Sequence, residues 1–386
     1  MHKEVGEMKK LVIASALLAG AVNAMEQDNT GSPSLKVKLR IQPRLDAGEI
    51  FKSGGSYQRR SDFYIRRARL EASKKWKGVP FGKWVKTNIT LEMDKGERDY
   101  DYKKGSKGFT AFSPGVLYAY GDWKITDEFS ILLGKKKKPY SRVSLTSSSR
   151  QLIIERPVST ETAKKWLGDY YGNQIMIHGK IQEGILRYMV AVSDGSTIEK
   201  KNKTGGSTVT SRVNLGNFLG VRIEVSPPGF IEKKKDDTGI GEKNRGSVVS
   251  LGGSYAKNGS FDVDSTRGES ATVTGADLFA RLNVGPGVLS FLAEYVSMSY
   301  EKLGKRERGW FVQGGYLVNL GKPGKIEPAI RYEQVETGSN RETYFTAGFN
   351  HYIKSHKIKW AYNMLSLRKA GERTRTVHQI QAQIYF

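Results

Sequence analysis

Strict alternation of apolar and polar residues marks the stretch from Leu35 to Asp46. The side chains of a β-strand alternate between its two faces, so every second residue shares a face. The apolar face consists of Leu35, Val37, Leu39, Ile41, Pro43 and Leu45. The polar face consists of Lys36, Lys38, Arg40, Gln42, Arg44 and Asp46. Unpaired charges are costly to bury in an apolar core. The stretch therefore predicts a strand whose charged face is in contact with water.

The same alternation recurs along the chain, for example in residues 83–94, 272–284 and 356–367. Short connections alternate with longer polar ones, of which residues 135–171 form the longest. The count of about 16 strands, each of roughly 8 to 13 residues, fits the even-numbered antiparallel barrels of outer membranes. We therefore predict an all-β chain that forms a transmembrane antiparallel β-barrel.

Three of the predicted connections are long. Residues 47–61 and 258–271 are polar and contain several Gly and Ser residues, which predicts loops. Residues 226–245 form a long connection at a point where the rhythm requires a short periplasmic turn. Either a strand within 226–245 is missed, or this turn carries an insertion.

The apolar faces of the later strands are suited to contact with lipid. In residues 276–284, for example, apolar side chains alternate with Asp277, Arg281 and Asn283. Aromatic residues near the strand ends fit an interfacial girdle, namely Trp310, Tyr316, Trp360, Tyr362 and Tyr385. A soluble β-sandwich would also show alternation, but it does not need paired long and short connections.

The last predicted strand places Ile380, Ala382, Ile384 and Phe386 on one face. An aromatic residue at the end of an amphipathic final strand looks like the assembly signal of bacterial outer-membrane barrels. We therefore assign this role to Phe386 and expect the barrel-assembly machinery to be a partner.

The N-terminal region has the pattern of a secretory signal peptide. Lys9 and Lys10 precede an apolar run from Leu11 to Ala24, which ends in small residues. We expect translation to start at Met8, cleavage after Ala24, a linker over residues 25–34 and the barrel over residues 35–386. The alternative is a buried N-terminal helix in a cytosolic protein. The chain contains no cysteine, so it has neither disulfides nor thiolate metal sites.

The charge balance requires an anionic partner or an anionic surface. The chain carries 63 Lys and Arg residues against 39 Asp and Glu residues, a formal net charge of +24. The basic residues are spread along alternating strands, and the sequence shows no helix-turn-helix, zinc-finger or aromatic RNA-binding pattern. We therefore predict passage of anions and no nucleic-acid partner.

Two stretches resemble the phosphate-selective porin O/P family. Residues 62–71 read D-F-Y-I-R-R-A-R-L-E and resemble the F-R-R-A-x-L-E strand of that family. Gly134-Lys135, followed by Thr146-Ser147-Ser148 and Glu155-Arg156, is similar to the family's strand end, inward-folded third loop and E-R pair. The resemblance covers the mature chain in order, although only these motifs and the barrel ends are specific.

The resemblance implies a homotrimer of barrels, each with a basic pore that is narrowed by the third loop, near residues 135–171. It implies a constriction that binds phosphate or longer phosphate chains through arginines. The implied residues are Arg44, Arg66 and Arg67, to which we add Arg69 and Arg142 from the same segments. Two features depart from the family pattern, because Ser144 replaces a lysine and residues 113–116 offer no clear acidic counterpart.

Arg66 and Arg67 are adjacent, so strict alternation cannot direct both into the lumen. A β-bulge, or cover by a loop or a neighbouring subunit, would reconcile the two positions. The alternative is that Arg66 reaches a lipid headgroup, since an arginine facing lipid at mid-membrane costs roughly 2 to 4 kcal/mol.

Further cations could form a ladder of moderate anion sites along the lumen, because an ion must be able to leave each site as well as enter it. The candidates are Lys36, Lys38, Arg40, Lys135, Lys137, Arg187, Arg222, Arg281 and Arg331, with Lys359 in the same phase. Several of them could be neutralised by carboxylates in the same phase, at Glu224, Asp277, Glu294, Glu327 and Glu333.

These observations predict an outer-membrane porin, a passive channel selective for anions, with phosphate or polyphosphate as the expected substrate. A general anion-selective porin for organic acids or chloride remains the closest alternative. The five histidines lie in no catalytic motif, so we expect no enzyme, cofactor or metal site. A structural barrel that binds acidic lipopolysaccharide is a third possibility, and outer-membrane lipid is an expected partner in each case.

Overall fold

The computed structural model describes residues 35–53, 56–94, 100–101, 106–107, 113–167, 169–194, 209–211, 217–241, 246–263, 266–368 and 371–386. The signal peptide and linker predicted for residues 1–34 lie outside this described part of the chain.

Sixteen antiparallel strands form a closed barrel, which confirms the predicted fold class. The first eight are β1 (Lys36–Ser53), β2 (Ser56–Lys77), β3 (Trp84–Asp94), β4 (Ser113–Lys124), β5 (Ser130–Lys137), β6 (Tyr171–Ile181), β7 (Leu186–Ser193) and β8 (Phe218–Val225). The others are β9 (Val248–Val263), β10 (Thr266–Val284), β11 (Gly287–Tyr300), β12 (Arg306–Asn319), β13 (Lys325–Thr337), β14 (Asn340–Lys354), β15 (Ile358–Arg368) and β16 (Arg375–Tyr385). The barrel closes because β1 pairs with β2 on one side and with β16 on the other.

Shorter elements supplement the sixteen strands. Tyr100–Asp101 pairs with Ser106–Lys107, and Val209–Ser211 adds to β9. Two α-helices, α1 (Arg142–Leu145) and α2 (Val158–Trp166), lie in the connection between β5 and β6, and Gln182–Gly184 forms a 3₁₀ turn. No helix in the described ranges is long and apolar enough to cross a membrane.

The strands have an apolar outer face and a polar inner face, as the alternation predicts. Leu278 is 42% exposed on the outside, whereas its neighbours Asp277 and Phe279 are buried on the inside. In β1 the predicted charged face points inward, and it is open to water as expected only at its start, where Lys36 and Lys38 are exposed. Arg40 and Arg44 are among its buried members, because other protein groups cover and partner this face.

Two predicted loops are wrong, because strands occupy most of them. In the 47–61 region β1 continues to Ser53 and β2 begins at Ser56. In the 258–271 region β9 continues to Val263 and β10 begins at Thr266. Strand pairing satisfies the backbone whatever the side chains are, and polar side chains cost little where a strand extends beyond the hydrocarbon layer.

A β-bulge in β2 settles the orientation of the two adjacent arginines. Gln42 pairs with Arg67 and Pro43 pairs with Ile65, so Arg66 has no counterpart in β1. The extra residue shifts the phase of the strand, and both Arg66 and Arg67 are buried on the inner face. The alternative in which Arg66 extends to a lipid headgroup is excluded for this reason.

Residues 226–241 carry an insertion rather than a missed strand, since the described part of this connection contains no strand. Glu232, Asp236, Asp237 and Thr238 within it are fully buried. The Asp237 backbone N–H donates to the Arg150 carbonyl at 3.0 Å, which joins the insertion to the connection between β5 and β6. We call residues 226–241 the folded turn.

Residues 138–170, which we call the β5–β6 loop, contact strands at distant points of the barrel. Ser141 and Thr160 both donate to Glu294 in β11, at 2.7 and 3.0 Å. Asn350 in β14 donates to the Leu152 carbonyl at 2.8 Å. Apolar packing follows the same path, in a cluster that includes Tyr140, Trp166, Tyr170, Phe218 and Met298. The main apolar clusters therefore join this loop to the strands, rather than one sheet to another as in a sandwich.

Candidate functional site

Arg44 lies at the centre of a buried polar group formed by β1, β2, β16 and the β5–β6 loop. Its Nε and one terminal nitrogen donate to Gln381 Oε1 at 3.1 and 2.9 Å. Its other terminal nitrogen bonds Glu155 Oε1 and lies 3.4 Å from the Tyr64 hydroxyl. Arg66 approaches the same Glu155 oxygen, with its Nε at 3.6 Å. Two of the three arginines implied by the family resemblance therefore share one carboxylate.

Arg67 and Arg69 share a second carboxylate, that of Glu92 in β3. Arg67 Nε lies 3.9 Å from Glu92 Oε1, and Arg69 forms an ion pair with the same oxygen. Arg67 also donates to Gln42 at 3.4 Å. Strand register brings these groups together, because Arg69 pairs with Glu92 across β2 and β3.

Three more cations lie beside Arg67, Arg69 and Glu92. Arg40, Lys137 and Arg156 are buried and form no ion pair within the described residues. Lys137 is close enough to Arg40, Arg69 and Arg156 for their charges to interact. We call Arg40, Arg67, Arg69, Lys137 and Arg156 the basic cluster. Glu92 is the carboxylate that pairs within it.

The Thr146-Ser147-Ser148 motif of the β5–β6 loop lies against the basic cluster. Lys137 Nζ and a terminal nitrogen of Arg156 donate to the Thr146 carbonyl at 2.8 and 3.2 Å. A terminal nitrogen of Arg69 lies 3.4 Å from the Ser148 hydroxyl. The segment thus brings small hydroxyl groups next to concentrated positive charge.

Arg40 has donors that the protein leaves unused. Its Nε and one terminal nitrogen are buried without a hydrogen-bond partner among the described residues. The guanidinium lies over the Tyr385 ring at 5.6 Å. It lines a small polar cavity together with Lys38, Arg69, Thr90, Tyr118, Ser147 and Tyr385, and with Glu71. Buried donors without partners are uncommon and indicate a place where a ligand or water can bind.

Arg142 has a different environment from the other predicted constriction residues. It is 0% exposed, and its two terminal nitrogens each donate to a Glu232 oxygen at 2.8 Å. Its Nε donates to Asp237 at 3.1 Å, and its guanidinium stacks on Phe279 at 3.6 Å. Arg142 therefore fastens helix α1 to the folded turn, and its donors are already occupied.

The link between α1 and the folded turn holds unequal numbers of opposite charges, because two carboxylates, Glu232 and Asp237, face one arginine, Arg142. Burial raises the pKa of Asp237 to about 6, the nearby charges of Glu232 and Asp236 act in the same direction, and Arg142 opposes them. Despite its burial, Arg142 has a pKa above its usual value because of Glu232 and Asp237. Arg142 thus stays charged, whereas Asp237 resists ionisation.

Several cations of the predicted ladder are neutralised by the carboxylates expected to oppose them. Arg222 bonds Asp277 at 2.6 Å and Glu224 at 3.1 Å, and Arg187 bonds Glu224 at 3.3 Å. We call these groups, together with Arg142, Lys235, Glu232 and Asp237, the paired network, because it contains four cations and four carboxylates.

The remaining candidates are dispersed. Arg331 pairs with Glu333 at 3.2 Å and donates to the Glu155 carbonyl, and Arg281 donates to the carbonyls of Gly239 and Gly246. Lys36 is exposed at the start of β1, and Lys38 pairs with Glu71 at 3.0 Å. Lys135 is half-buried in β5, in register with Ala119 and Asn173.

Phe386 lies at the barrel seam. Its side chain is 72% exposed on the outer face, while its backbone N–H donates to the Leu39 carbonyl at 2.9 Å. The last residue therefore helps to pair the final strand with the first.

Sequence reasoning missed the position of Arg156 and the acids that serve the arginines. The sequence shows Glu155 and Arg156 as an adjacent pair, but only the structure shows that Glu155 binds Arg44 and Arg66 whereas Arg156 belongs to the basic cluster. Ser144, which replaces the lysine of the family pattern, lies in α1 and donates to the Ser141 carbonyl at 3.0 Å. The cations beside the Thr146-Ser147-Ser148 motif are instead Lys137 and Arg156, which donate to the Thr146 carbonyl. Within the described ranges, no group of His, Asp or Glu residues could hold a metal ion.

Comparisons with known proteins agree with this architecture. The family model described as phosphate-selective porin O and P matches residues 37–386. An uncharacterized protein of Aquifex aeolicus (strain VF5) is 57% identical over 365 residues, covering 92% of this chain and 88% of that protein. Among solved structures, the anion-selective porin from Comamonas acidovorans has a TM-score of 0.55 at 12% identity, covering 92% of this chain and 99% of the other. OmpT of Vibrio cholerae in its trimer form has a TM-score of 0.57 at 9% identity, with 91% and 99% covered.

Proposed function

We propose, since this chain belongs to the phosphate-selective porin O and P family and is an outer-membrane porin, that its pore conducts anions and binds phosphate or polyphosphate in passing. The observation that carries this proposal is the basic cluster. Four arginines and Lys137 lie there around one paired carboxylate, Glu92, so the arginines alone give the cluster a positive charge.

An anion that enters such a place loses hydration and must be compensated by fixed donors. Arginine is suited to this, because its planar fork matches two phosphate oxygens and it stays charged. Arg40 offers donors that are not used by the protein, and the Ser147 and Thr90 hydroxyls line the same cavity. Several such groups along one wall would provide sites of moderate strength, which favour conduction over trapping.

The β5–β6 loop is proposed as the element that narrows the pore. Its contacts with Glu294, Asn350 and Arg44 lie on different sides of the barrel, which supports a path across the lumen. In this arrangement the loop presses its Thr146-Ser147-Ser148 motif towards the strands that carry the basic cluster. Arg142 serves in this proposal as an anchor of the loop rather than as an anion ligand.

The surroundings of the protein follow from the same proposal. We propose export by the N-terminal signal peptide, insertion with the barrel-assembly machinery through the Phe386 end, and contact with lipid and lipopolysaccharide on the apolar outer face. A homotrimer is supported by the trimer form of Vibrio cholerae OmpT, whose barrel this chain resembles.

A general anion porin without a phosphate site is the second candidate. It is favoured by one observation, namely that Arg44 and Arg66 already bind Glu155. Organic acids or chloride would then pass along the basic wall without specific coordination. The catalytic alternative has no support in the arrangement, which consists of ion pairs and hydrogen-bonded arginines.

Planar-bilayer recordings of the purified protein test the proposal. The reversal potential under a chloride gradient should show strong anion selectivity, and added phosphate should block the chloride current. In Arg40→Gln we expect the phosphate concentration for half block to rise about tenfold, because one charge-assisted hydrogen bond contributes about 1.5–3 kcal/mol. Lys322→Gln, at an exposed position in the turn between β12 and β13 and outside the predicted ladder, is the control and should be blocked by phosphate like the wild type.

Anion selectivity without phosphate block would leave the general anion porin as the correct description. Cation selectivity or an absence of conductance would contradict the proposal as a whole.

A further inference from the structure

A cavity of about 680 Å³ lies at one rim of the barrel, between two neighbouring turns and the folded turn. Lys325 at the start of β13, Ser355 and Lys357 in the turn between β14 and β15, and Ile240 of the folded turn are among its lining residues. The turns are neighbours because β13 pairs with both β12 and β14. The volume is within the range of roughly 300 to 1,000 Å³ that is typical of pockets for small molecules. None of these residues belongs to the basic cluster or the paired network.

The cavity is open to the lipid-facing side of the barrel. Tyr352 and Ile353 are consecutive residues of β14 and both line the cavity, although Tyr352 is buried inside the barrel and Ile353 is 58% exposed outside it. The cavity therefore runs around the end of the strand. Leu320 and Ile358 in the adjoining segments are also exposed and extend the apolar outer surface. A molecule with an apolar tail on this surface has its polar end within reach of the cavity.

Positive charge surrounds the cavity and is not matched by carboxylates. Residues 319–325 and 353–358 contain four lysines and neither Asp nor Glu. Lys325 and Lys357 are exposed and form no ion pair within the described residues. The carboxylate of Glu327 in β13 is buried and accepts from the Tyr352 hydroxyl at 2.5 Å and from the Gly239 N–H at 2.6 Å. The two lysines are therefore available to an anionic group from outside the protein.

Aromatic residues place the two lysines at the level of lipid headgroups. The Trp360 ring nitrogen donates to His351 Nδ1 at 2.7 Å, and His351 Nε2 lies 2.6 Å from the Pro323 carbonyl oxygen. The Phe349 ring packs edge-on against Trp360, with 5.1 Å between the ring centroids. Aromatic residues of this kind mark the boundary between the hydrocarbon layer and the headgroups. Positions closer to the strand ends than Trp360 therefore lie among headgroups.

We propose that this cavity binds the headgroup of an anionic phospholipid, with the phosphodiester between Lys325 and Lys357 and the acyl chains on the apolar outer face. The short turns of barrels of this class lie on the periplasmic side, so the lipid belongs to the periplasmic leaflet. An ammonium group is a compact charge on a flexible stem and suits a phosphate that approaches from the membrane. Ser355 lines the same cavity and adds a hydroxyl group. The site is separate from the pore and does not depend on the proposed anion specificity.

A free phosphate ion has the same oxygens as the phosphodiester, but the walls of the cavity favour the lipid. Ile240 and Ile353 are apolar, and a free ion gains nothing from contact with them. A lipid gains from both parts of the site, because its tails cover Ile353 and the neighbouring outer surface while its headgroup meets the lysines. Basic pockets at membrane surfaces bind anionic headgroups in this way, and each lysine contributes about fivefold in affinity.

Native mass spectrometry of the purified protein in detergent tests the site. Dioleoylphosphatidylglycerol is the probe, and dioleoylphosphatidylcholine, whose headgroup has no net charge, is the matched neutral lipid. We expect the wild type to bind phosphatidylglycerol more tightly than phosphatidylcholine. In the double variant Lys325→Gln and Lys357→Gln, the dissociation constant for phosphatidylglycerol should rise about 25-fold, because two lysines at about fivefold each are lost. Lys325→Arg with Lys357→Arg keeps both charges and should bind like the wild type.

The double variant Lys77→Gln and Lys305→Gln is the matched control, since it removes the same net charge at two exposed positions outside the cavity. It should bind phosphatidylglycerol like the wild type. An equal loss of affinity in both Gln double variants would mean that the lipid responds only to net charge, and the inference would be wrong. Equal affinity of the wild type for the two lipids would also overturn it, because no headgroup would then be recognised.

A wash of the immobilised protein distinguishes the two sources of phosphate. Protein loaded with phosphatidylglycerol is washed with inorganic phosphate or with chloride at equal ionic strength, and the lipid that remains is extracted and measured. Retention of the lipid in both washes is the expected result, because the acyl chains contribute to binding. Release by phosphate alone would identify the cavity as a site for the free ion and contradict the lipid proposal.

Discussion

One extra residue allows β2 to present two consecutive arginines to the inside of the barrel. The bulge at Arg66 changes the phase of the strand, so that Asp62 and Tyr64 before it, and Arg67 and Arg69 after it, are all directed inward. Without the bulge, one arginine of the adjacent pair would face lipid. A single-residue insertion thus determines the composition of the inner wall.

Deletion of Arg66 should be tolerated by the fold. The observed pairs, Gln42 with Arg67 and Pro43 with Ile65, already skip this residue, so its removal leaves their register unchanged. We expect folding yield, measured by the gel-mobility difference between heated and unheated protein, to stay close to that of the wild type. Phosphate block should weaken, because the proposed constriction loses one of its arginines.

Deletion of Ala68, two residues away, is the matched control. It brings Arg67 and Arg69 next to each other, so one arginine must face lipid at a cost of roughly 2 to 4 kcal/mol near mid-membrane. Folding yield should therefore fall. Equal yields for the two deletions would mean that the bulge is not what sets the phase of this strand.

At the scale of elements, the folded turn and helix α1 stabilise each other through Arg142. Removal of the Arg142 guanidinium leaves the buried Glu232 and Asp237 without their main partner. Removal of one member of a buried ion pair typically costs 3–5 kcal/mol, and we expect about that loss in Arg142→Met. The measurement is the free energy of unfolding by urea in lipid vesicles.

An exposed ion pair supplies the control for this loss. Lys83 and Asp127 pair at the surface, with half or more of each side chain exposed, so Lys83→Met should cost less than about 1 kcal/mol. A comparable loss in both variants would show that Arg142 contributes no more than an ordinary surface charge.

The raised pKa of Asp237 gives this region a pH dependence with a defined sign. The folded protein holds a proton with a pKa of about 6, above the ordinary value of 3.8, because burial and the neighbouring Glu232 and Asp236 outweigh Arg142. The folded state therefore binds more protons than the unfolded chain between these values, and stability falls as pH rises from about 4 to about 6. Below that window the contribution is fully present.

Asp237→Asn removes this one titration and keeps the shape of the side chain. The melting temperature of the wild type should fall relative to that of Asp237→Asn as pH rises from about 4 to about 6, because the variant has no proton to lose at this position. Other groups titrate in both proteins and cancel from the difference. A difference that is independent of pH would contradict the assignment to Asp237.

At the scale of the whole molecule, the sequence predicts the faces of the strands better than their ends or their partners. The period of two directs Leu278 outward and Asp277 inward, and both positions are as predicted. Strand ends in residues 47–61 were not predicted, because polar strands beyond the hydrocarbon layer resemble loops in composition. The bond between Arg44 and Glu155 joins residues 111 positions apart, and no local pattern specifies such a contact.

The charges of the barrel interior are segregated, which a count of +24 for the whole chain does not reveal. The strands from β7 to β10, with the folded turn and Arg142 of the β5–β6 loop, hold the paired network, in which cations are matched by carboxylates. The strands from β1 to β5, together with Arg156 of the β5–β6 loop, hold the basic cluster, where Arg40, Lys137 and Arg156 form no ion pair within the described residues. Anion selectivity should therefore arise from one wall of the barrel.

This division predicts how selectivity depends on salt. Exposed cations act through water and are screened over about 30 Å at 0.01 M salt but only about 3 Å at 1 M. The buried basic cluster is screened much less, so anion selectivity should decrease with ionic strength and then reach a plateau that remains at 1 M. Reversal potentials measured at a constant concentration ratio and at increasing total salt give this curve directly.

The double variant Lys36→Gln and Lys357→Gln, at two exposed positions, should lose selectivity only in the low-salt part of the curve. Arg40→Gln should instead lower the plateau, because Arg40 belongs to the buried cluster and has unused donors. If wild-type selectivity vanished at 1 M, permeating anions would be responding only to screened surface charge. The basic cluster would then lie off the path of the ions, however positive its local charge.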